Sequence, residues 1–213
     1  MTRILPGVIA MAAIVVASNI LVQFLILDGL LTWGAFTYPL AFLVTDVMNR
    51  VYGTQAARKV VFAGLIVGIV CSLIGTQIML QGDGYTYPAV ALRIAIASAT
   101  AFGVAQLLDI AIFDRLRDGS WWKAPLTSTL VGSTVDTVIF FTIAFAAMFN
   151  GLSATAAEEV IWAQDAAPFL NVGPLVPLWM SLAVADWGVK LTIALLALVP
   201  FRLIVGRLQQ AKI

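Results

Sequence analysis

Six stretches of this chain, residues 5–27, 34–52, 57–80, 88–113, 125–149 and 175–201, are long, mainly apolar and separated by polar or Pro/Gly-containing segments. A helix of about 20 apolar residues crosses the hydrocarbon of a bilayer, which is about 30 Å thick, so each stretch is expected to be a transmembrane helix. Composition agrees. The chain is 62% apolar and 11% charged, with a mean hydropathy of +1.01, where a soluble domain has about 45–50% and about 25%. There is too little polar surface to cover a water-soluble core. The expected fold class is an all-α integral membrane protein, one transmembrane domain over residues 1–213. The first stretch exceeds the apolar region of a signal peptide, about 7–15 residues, and five more follow it, so it is expected to be retained.

Loop charge orients the bundle, because Lys and Arg collect on the cytoplasmic side. Arg3, Arg50, Arg58, Lys59, Arg115, Arg117, Lys123, Arg202, Arg207 and Lys212 all fall in the termini or in alternate loops. The opposite segments, 28–33, 81–87 and 150–174, carry Asp28, Asp83, Glu158, Glu159 and Asp165 but no Lys or Arg. Both termini are therefore expected in the cytoplasm. Trp33, Trp121, Trp122 and Trp179 stand at the ends of stretches, where amphipathic rings anchor at the interface. Gly64, Gly68, Ser72 and Gly75 form a small-residue stripe for close helix packing, within the chain or between two copies in a homodimer. Ala154 to Trp162 is expected to form a short amphipathic surface helix.

Several function classes drop out. Twelve basic against eleven acidic residues leave a formal charge of +1, without the basic excess of a nucleic-acid binder. The chain has no histidine and a single cysteine, Cys71. An internal disulfide, a His-bearing zinc site and a Ser-His-Asp triad are thus excluded. No G-x-x-x-x-G-K-[ST] loop occurs, so any transport runs without an ATPase in this chain. Neither enzymatic activity nor a cofactor is expected.

The informative residues are polar groups inside the stretches. A charge at the centre of a transmembrane helix costs about 2.5–3.5 kcal/mol even on the lenient insertion scale. Asp46, Arg93, Asp109, Asp136, Asp186 and Lys190 nevertheless lie there, with Asn19, Gln23, Asn49 and Gln106. They are expected to face one another or a wet cavity. Asn19 and Gln23 are four apart, and Ser98, Phe102, Gln106, Asp109 and Phe113 follow one helical face. Gly132, Asp136 and Phe140 line up on the fifth stretch. On the sixth, Asp186 and Lys190 form an i, i+4 acid–base pair with the acid N-terminal, the better orientation. Asp46 and Asp109 lie nearer the cytoplasmic ends, within reach of Arg50 and Arg115. Arg93 is placed either to snorkel to the headgroups or to serve as a counter-charge for Asp136, whose own helix carries no basic partner.

The runs Trp33-Gly34-Ala35-Phe36, Phe42-Leu43-Val44-Thr45-Asp46, Tyr52-Gly53 and Ala57-Arg58 resemble the queuosine-precursor transporter family of bacterial inner membranes. Gln106-Leu107-Leu108-Asp109, Phe113-Asp114-Arg115-Leu116-Arg117, Trp121-Trp122, Ser128-Thr129-Leu130, Gly132 and Asp136 extend the resemblance. So do Ser18-Asn19 with Gln23, Arg93-Ile94-Ala95 and the Asp186/Lys190 pair. The resemblance implies six transmembrane helices in a multi-pass inner-membrane protein. It also implies import of 7-cyano-7-deazaguanine or 7-aminomethyl-7-deazaguanine, precursors of a modified tRNA base. Such a base offers N1–H and an exocyclic amine side by side, which a carboxylate accepts as a fork, and an O6 acceptor for an amide or cation.

The expected substrate contacts follow from that chemistry. One of Asp109, Asp136 and Asp186 takes the guanine-like edge, and Gln106, Asn19 or Gln23 holds O6 or ring nitrogens. Phe102 or Phe140 stacks on the base, and Lys190 and Arg93 supply counter-charge, with Asp46 nearby. Expected partners are the small deazaguanine and membrane lipid. The expected mechanism is alternating access about a mid-membrane site between two inverted halves of three spans each. The runner-up is the substrate-binding subunit of an energy-coupling vitamin-type importer, docking a separate ATPase module through Ala10, Ala13 and Ala17. An intramembrane aspartyl protease would need G-x-G-D, which is absent. A purely structural protein would not need so many intramembrane charges.

Overall fold

The computed structural model describes residues 4–82, 84–152, 155 and 157–210. Arg3, Asp83 and Lys212 of the charge pattern, and Ala154 and Ala156 of the expected surface helix, lie outside the described residues. The first, third, fourth and fifth apolar stretches form α1 (Leu5–Leu21), α4 (Thr54–Gln77), α5 (Leu92–Leu116) and α6 (Lys123–Phe145). The second is divided into α2 (Gly34–Thr37) and α3 (Leu40–Tyr52). Pro39 stands at that junction. It has no N–H for the bond to Ala35, yet Tyr38 and Pro39 keep helical dihedrals, so the break is local. The sixth stretch forms α7 (Leu178–Leu196) and runs on through Ala197 into an unexpected α8 (Leu198–Gln210). Among these, α4, α5, α6 and α7 are long and apolar enough to cross a membrane, and α1 is a shorter apolar helix of 17 residues.

Alternate connections have different architecture. The first is an antiparallel hairpin of β1 (Leu25–Ile26) and β2 (Leu31–Thr32), so residues 22–27 turn away instead of completing the first expected span. The third is a hairpin of β3 (Met79–Gln81) and β4 (Thr86–Pro88), and the fifth contains β5 (Ala166–Pro168) paired with β6 (Leu175–Pro177). In place of the expected amphipathic helix, Glu158–Gln164 forms a 3-10 segment. Val160 and Ala163 bury it against Phe141 and Phe145 of α6, and Gln164 Nε2 donates to Phe145 O at 2.6 Å. This segment caps the bundle.

The α3–α4 connection is Gly53 alone, with φ 85° and ψ 172°. A Cβ there would meet nothing within 4 Å, so the requirement is for backbone conformation and not for space. This region is essentially glycine-only, and a side-chain-bearing residue costs about 1–3 kcal/mol there. Gly53→Ala should lower stability by about that amount, read as a reduced unfolding temperature of the detergent-purified protein.

Packing centres on α5, which lies along α6 and also contacts α4 and α3. Met11, Met48, Val60, Val61, Phe102 and Ile110 join α1, α3, α4 and α5 in one apolar cluster. Phe113, Ala124, Phe201 and Val205 join α5, α6 and α8 to α3 in another. The small-residue stripe of α4 is used within the chain. A Cβ on Gly64 would fall 2.5 Å from Met11 Cγ, Gly68 faces Val15, and Ser72 donates to Asn19 Oδ1 at 3.3 Å. Ile66, Val70, Leu73 and Ile74 of the same helix are exposed, which suits contact with hydrocarbon. α3 packs on α4 much as α6 packs on α7, and α1 also lies closely along α4, whereas α5 and α7 form no comparable contact.

Candidate functional site

The buried face of α6 presents Ser128, Thr129, Gly132, Ser133, Asp136 and Thr137. Eight residues at 1.5 Å each separate Ser128 from Asp136 by about 12 Å along the axis. Two polar layers are built at these two levels. Gly132 lies between them. A Cβ there would sit 2.8 Å from Phe42 and 3.4 Å from both Ala105 O and Asp109 Cβ, so α5 and α6 approach closely because this residue has no side chain.

The layer nearer the hairpin end is centred on Lys190. Its Nζ lies 2.7 Å from Asp136 Oδ2 and 2.5 Å from Asp186 Oδ2, and donates to Thr137 Oγ1 at 3.0 Å. The Tyr38 hydroxyl donates to Asp136 Oδ1 at 2.7 Å, and Thr137 donates to Asp186 Oδ2 at 3.0 Å. Lys190 also lies 5.4 Å from the Tyr38 ring centroid, and Phe102 meets that ring edge-on at 6.2 Å. The i, i+4 pair read from spacing is present, and Lys190 reaches Asp136 on a neighbouring helix as well. Two carboxylates with one ammonium carry a formal charge of −1, partly offset by the donated hydroxyl bonds.

In the other layer Asp46 accepts from Ser128 at 3.2 Å and from Thr129 at 3.1 Å. Asp109 lies beside Asp46 and Ser128. On α5, one turn toward the first layer, Gln106 accepts the Thr45 hydroxyl at 2.5 Å. The expected pairing of these acids with arginines is not what forms. Arg50 Nη1 donates to Arg117 O at 2.5 Å, and Arg117 Nη2 donates to Asn49 O at 2.7 Å, so the arginines tie the α3 and α5 ends together. A small recess is lined by Pro39, Asp46, Pro125, Thr129, Ala197 and Phe201.

Four expected site residues are elsewhere. Arg93 is fully buried, not snorkelled, and is not the counter-charge of Asp136. Its Nε donates to Ile143 O at 2.8 Å, Nη1 to Asn150 Oδ1 at 2.8 Å, and Nη2 to Ala146 O. It thereby satisfies carbonyls at the α6 C-terminus that lack intrahelical donors. Asn19 Nδ2 bonds Val15 O at 2.9 Å, and together with Ser72 it ties α1 to α4. Gln23 is exposed and donates to Ala89 O at 2.9 Å. Phe140 packs edge-to-face on Phe141, ring centroids 5.1 Å apart, in the aromatic cluster at the hairpin end.

The structure thus brings Asp46, Phe102, Gln106, Asp109, Asp136, Asp186 and Lys190 into one polar column. It adds Tyr38, Thr45, Ser128, Thr129, Ser133 and Thr137, which residue type alone does not single out. Hydroxyl side chains commonly bond the carbonyl four residues back in their own helix. Thr100, Thr134 and Thr192 do so here. Thr45 does so as well, and Thr134 also accepts from Trp187 Nε1 on α7, so position in the bundle, not the bonding pattern of the hydroxyl, sets the column apart.

A chain 34% identical over 196 residues, covering 88% of this one and 79% of the relative, is the queuosine precursor transporter of Escherichia coli. A relative from Haemophilus influenzae, named a probable queuosine precursor transporter, is 37% identical over 176 residues, 79% of this chain and 66% of its own length. One from Bacillus subtilis, named likewise, is 31% identical over 137 residues, covering 55% and 58%. No solved structure matches. The family model described as "Putative vitamin uptake transporter" matches residues 32–205, a range that contains the whole polar column and leaves out Asn19 and Gln23. With that match over most of its length and relatives at this identity, the chain belongs to this family of transporters.

Proposed function

We propose that this chain imports queuosine precursor bases, 7-cyano-7-deazaguanine or 7-aminomethyl-7-deazaguanine, across a bacterial inner membrane by alternating access about the polar column. The buried column of acids, amide and lysine carries this reading. It holds the donor and acceptor types a deazaguanine needs, and intramembrane ionisable groups mark transport pathways. The names of the relatives point to the same cargo. We read the chain as crossing six times, with α2 and α3 together forming the second span. Their 19 residues from Gly34 to Tyr52 rise about 28 Å at 1.5 Å each. The termini lie on the cytoplasmic side by the distribution of Lys and Arg.

The test uses the purified chain alone in liposomes. Uptake of radiolabelled base by the chain alone supports a self-sufficient transporter. Binding without uptake favours the subunit of an energy-coupled importer. In a strain dependent on imported precursor, Asp136→Ala should lower tRNA queuosine at least about tenfold, because it strips Lys190 and Tyr38 of a buried partner, while membrane immunoblots still detect the protein. Full uptake by this variant would remove Asp136 from the transport pathway.

A further inference from the structure

The Asp136, Asp186 and Lys190 layer is internally paired, but the layer that holds Asp109 and the turn beside it are not. Neither carboxylate oxygen of Asp109, nor Gln106 Nε2, nor Ser133 Oγ has a hydrogen-bond partner among the described residues. All three side chains are fully buried. Folded proteins pair more than about 90% of buried polar groups, and each exception calls for an explanation. Asn49 Oδ1, Arg50 Nη2 and Glu159 Oε2 are further exceptions near the helix ends and in the outer 3-10 segment, whereas Gln106, Asp109 and Ser133 lie together where α5 and α6 approach at Gly132. By contrast Asp136, Asp186 and Lys190, which have the same residue chemistry, are occupied by one another and by Tyr38 and Thr137.

We infer that Asp109 and Gln106 are the residues that read the hydrogen-bonding edge of the cargo base, and that Asp136, Asp186 and Lys190 do not contact that edge. This rests on the cargo proposed above and assigns its recognition to a particular pair. Asp109, whose carboxyl lies against Asp46 and Ser128, accepts no hydrogen bond of normal geometry at either oxygen, and turned to the base it supplies the fork that an N1–H and an adjacent exocyclic amine require. Gln106, three residues earlier on the same face with Cβ atoms about 5–6 Å apart, offers a free N–H to the O6 acceptor beside N1–H. Acid and amide therefore follow one another along α5 in the order that the base presents amine, N1–H and carbonyl. Thr45 is a positioning residue: its hydroxyl lies 3.1 Å from Ala41 O and 2.5 Å from Gln106 Oε1 and so ties the Gln106 amide to α3. Asp109 and Gln106 are enclosed in this structure, so the base reaches them when α5 and α6 part at Gly132.

The experiment measures equilibrium binding of 7-cyano-7-deazaguanine, and of the same base without its exocyclic amine, to the detergent-purified full chain. Wild type should bind the amine-bearing base at least about tenfold more tightly, since a hydrogen bond to a charged group contributes that much or more. Asp109→Asn, nearly isosteric, should lose affinity for the amine-bearing base and no longer distinguish the two. Gln106→Met should weaken both bases by a similar factor and keep the distinction, a split that a merely structural role would not produce. Undiminished discrimination in Asp109→Asn, unchanged affinity in Gln106→Met, or equal binding of both bases by wild type would each overturn the assignment. Should Asp109→Asn fail to fold, the Gln106→Met pattern decides alone. If folded wild-type protein binds neither base, the proposed cargo is wrong. Binding that survives with the pair unaffected leaves the cargo standing and removes only its readers.

Discussion

Lys190→Met is expected to destabilise the folded chain by about 3–5 kcal/mol, the range for removing one partner from a buried ion pair, and to abolish uptake. Lys190 is 3% exposed and Asp136 2%. Without the ammonium, Asp136 and Asp186 face each other as uncompensated acids in a low-dielectric interior. The measurements are thermal unfolding in detergent and uptake into liposomes. Asp186→Asn alone should be far milder, because the Lys190–Asp136 contact at 2.7 Å and the Tyr38 bond remain. The combined Asp186→Asn, Lys190→Met variant should recover much of the lost stability, since one carboxylate is left and Tyr38 still donates to it. Folding restored without uptake would assign the lysine to the transport cycle; both restored together would make it a staple. Lys190→Met unfolding at the wild-type temperature would refute the ion-triad energetics.

Arg93→Met should cost about 2 kcal/mol or more, because Ile143 O and Ala146 O each lose a donor at about 1–3 kcal/mol apiece, while the exposed Asn150 Oδ1 can turn to water. Hydrogen exchange should accelerate over the last turn of α6, where Ala146 N–H bonds Thr142 O, before it does so near Ser128. Arg93→Lys should not rescue, since one ammonium cannot reproduce three donors on a planar fork. If binding of the base is unchanged once the variant is stabilised at low temperature, Arg93 is an architectural residue at the end of α6. Protection unchanged over residues 142–146 would contradict the capping role.

The one-dimensional features of the chain were legible as far as the solvent dictates them. A bilayer requires long apolar runs and excludes charge, and each requirement acts on residues in sequence order, so the helices and the surplus charges could be read directly. The Asp186/Lys190 pair was equally legible, because i, i+4 neighbours meet whatever else the helix packs against. Helix ends were less so. The turn at 22–27, the break at Pro39 and the continuation into α8 depend on local hydrogen bonding and on Phe201 and Val205 finding a surface, not on hydropathy.

Partnership across helices was not legible, because it depends on how each helix is rotated about its axis. That rotation is set by close approaches such as Gly132 on Asp109 and Phe42, and Gly64 on Met11. Arg93 and Asp136 are both buried charges in apolar runs, yet packing sends Arg93 to the carbonyls at the end of α6 and brings Lys190 to Asp136. Likewise nothing local distinguishes Asp109 from Asp136. The residue types alone make a buried polar column necessary, since no charge can remain facing lipid cheaply. Which of its acids is satisfied and which is left open follows from three-dimensional packing, because a hydrogen bond needs two atoms at one place and the second comes from another helix.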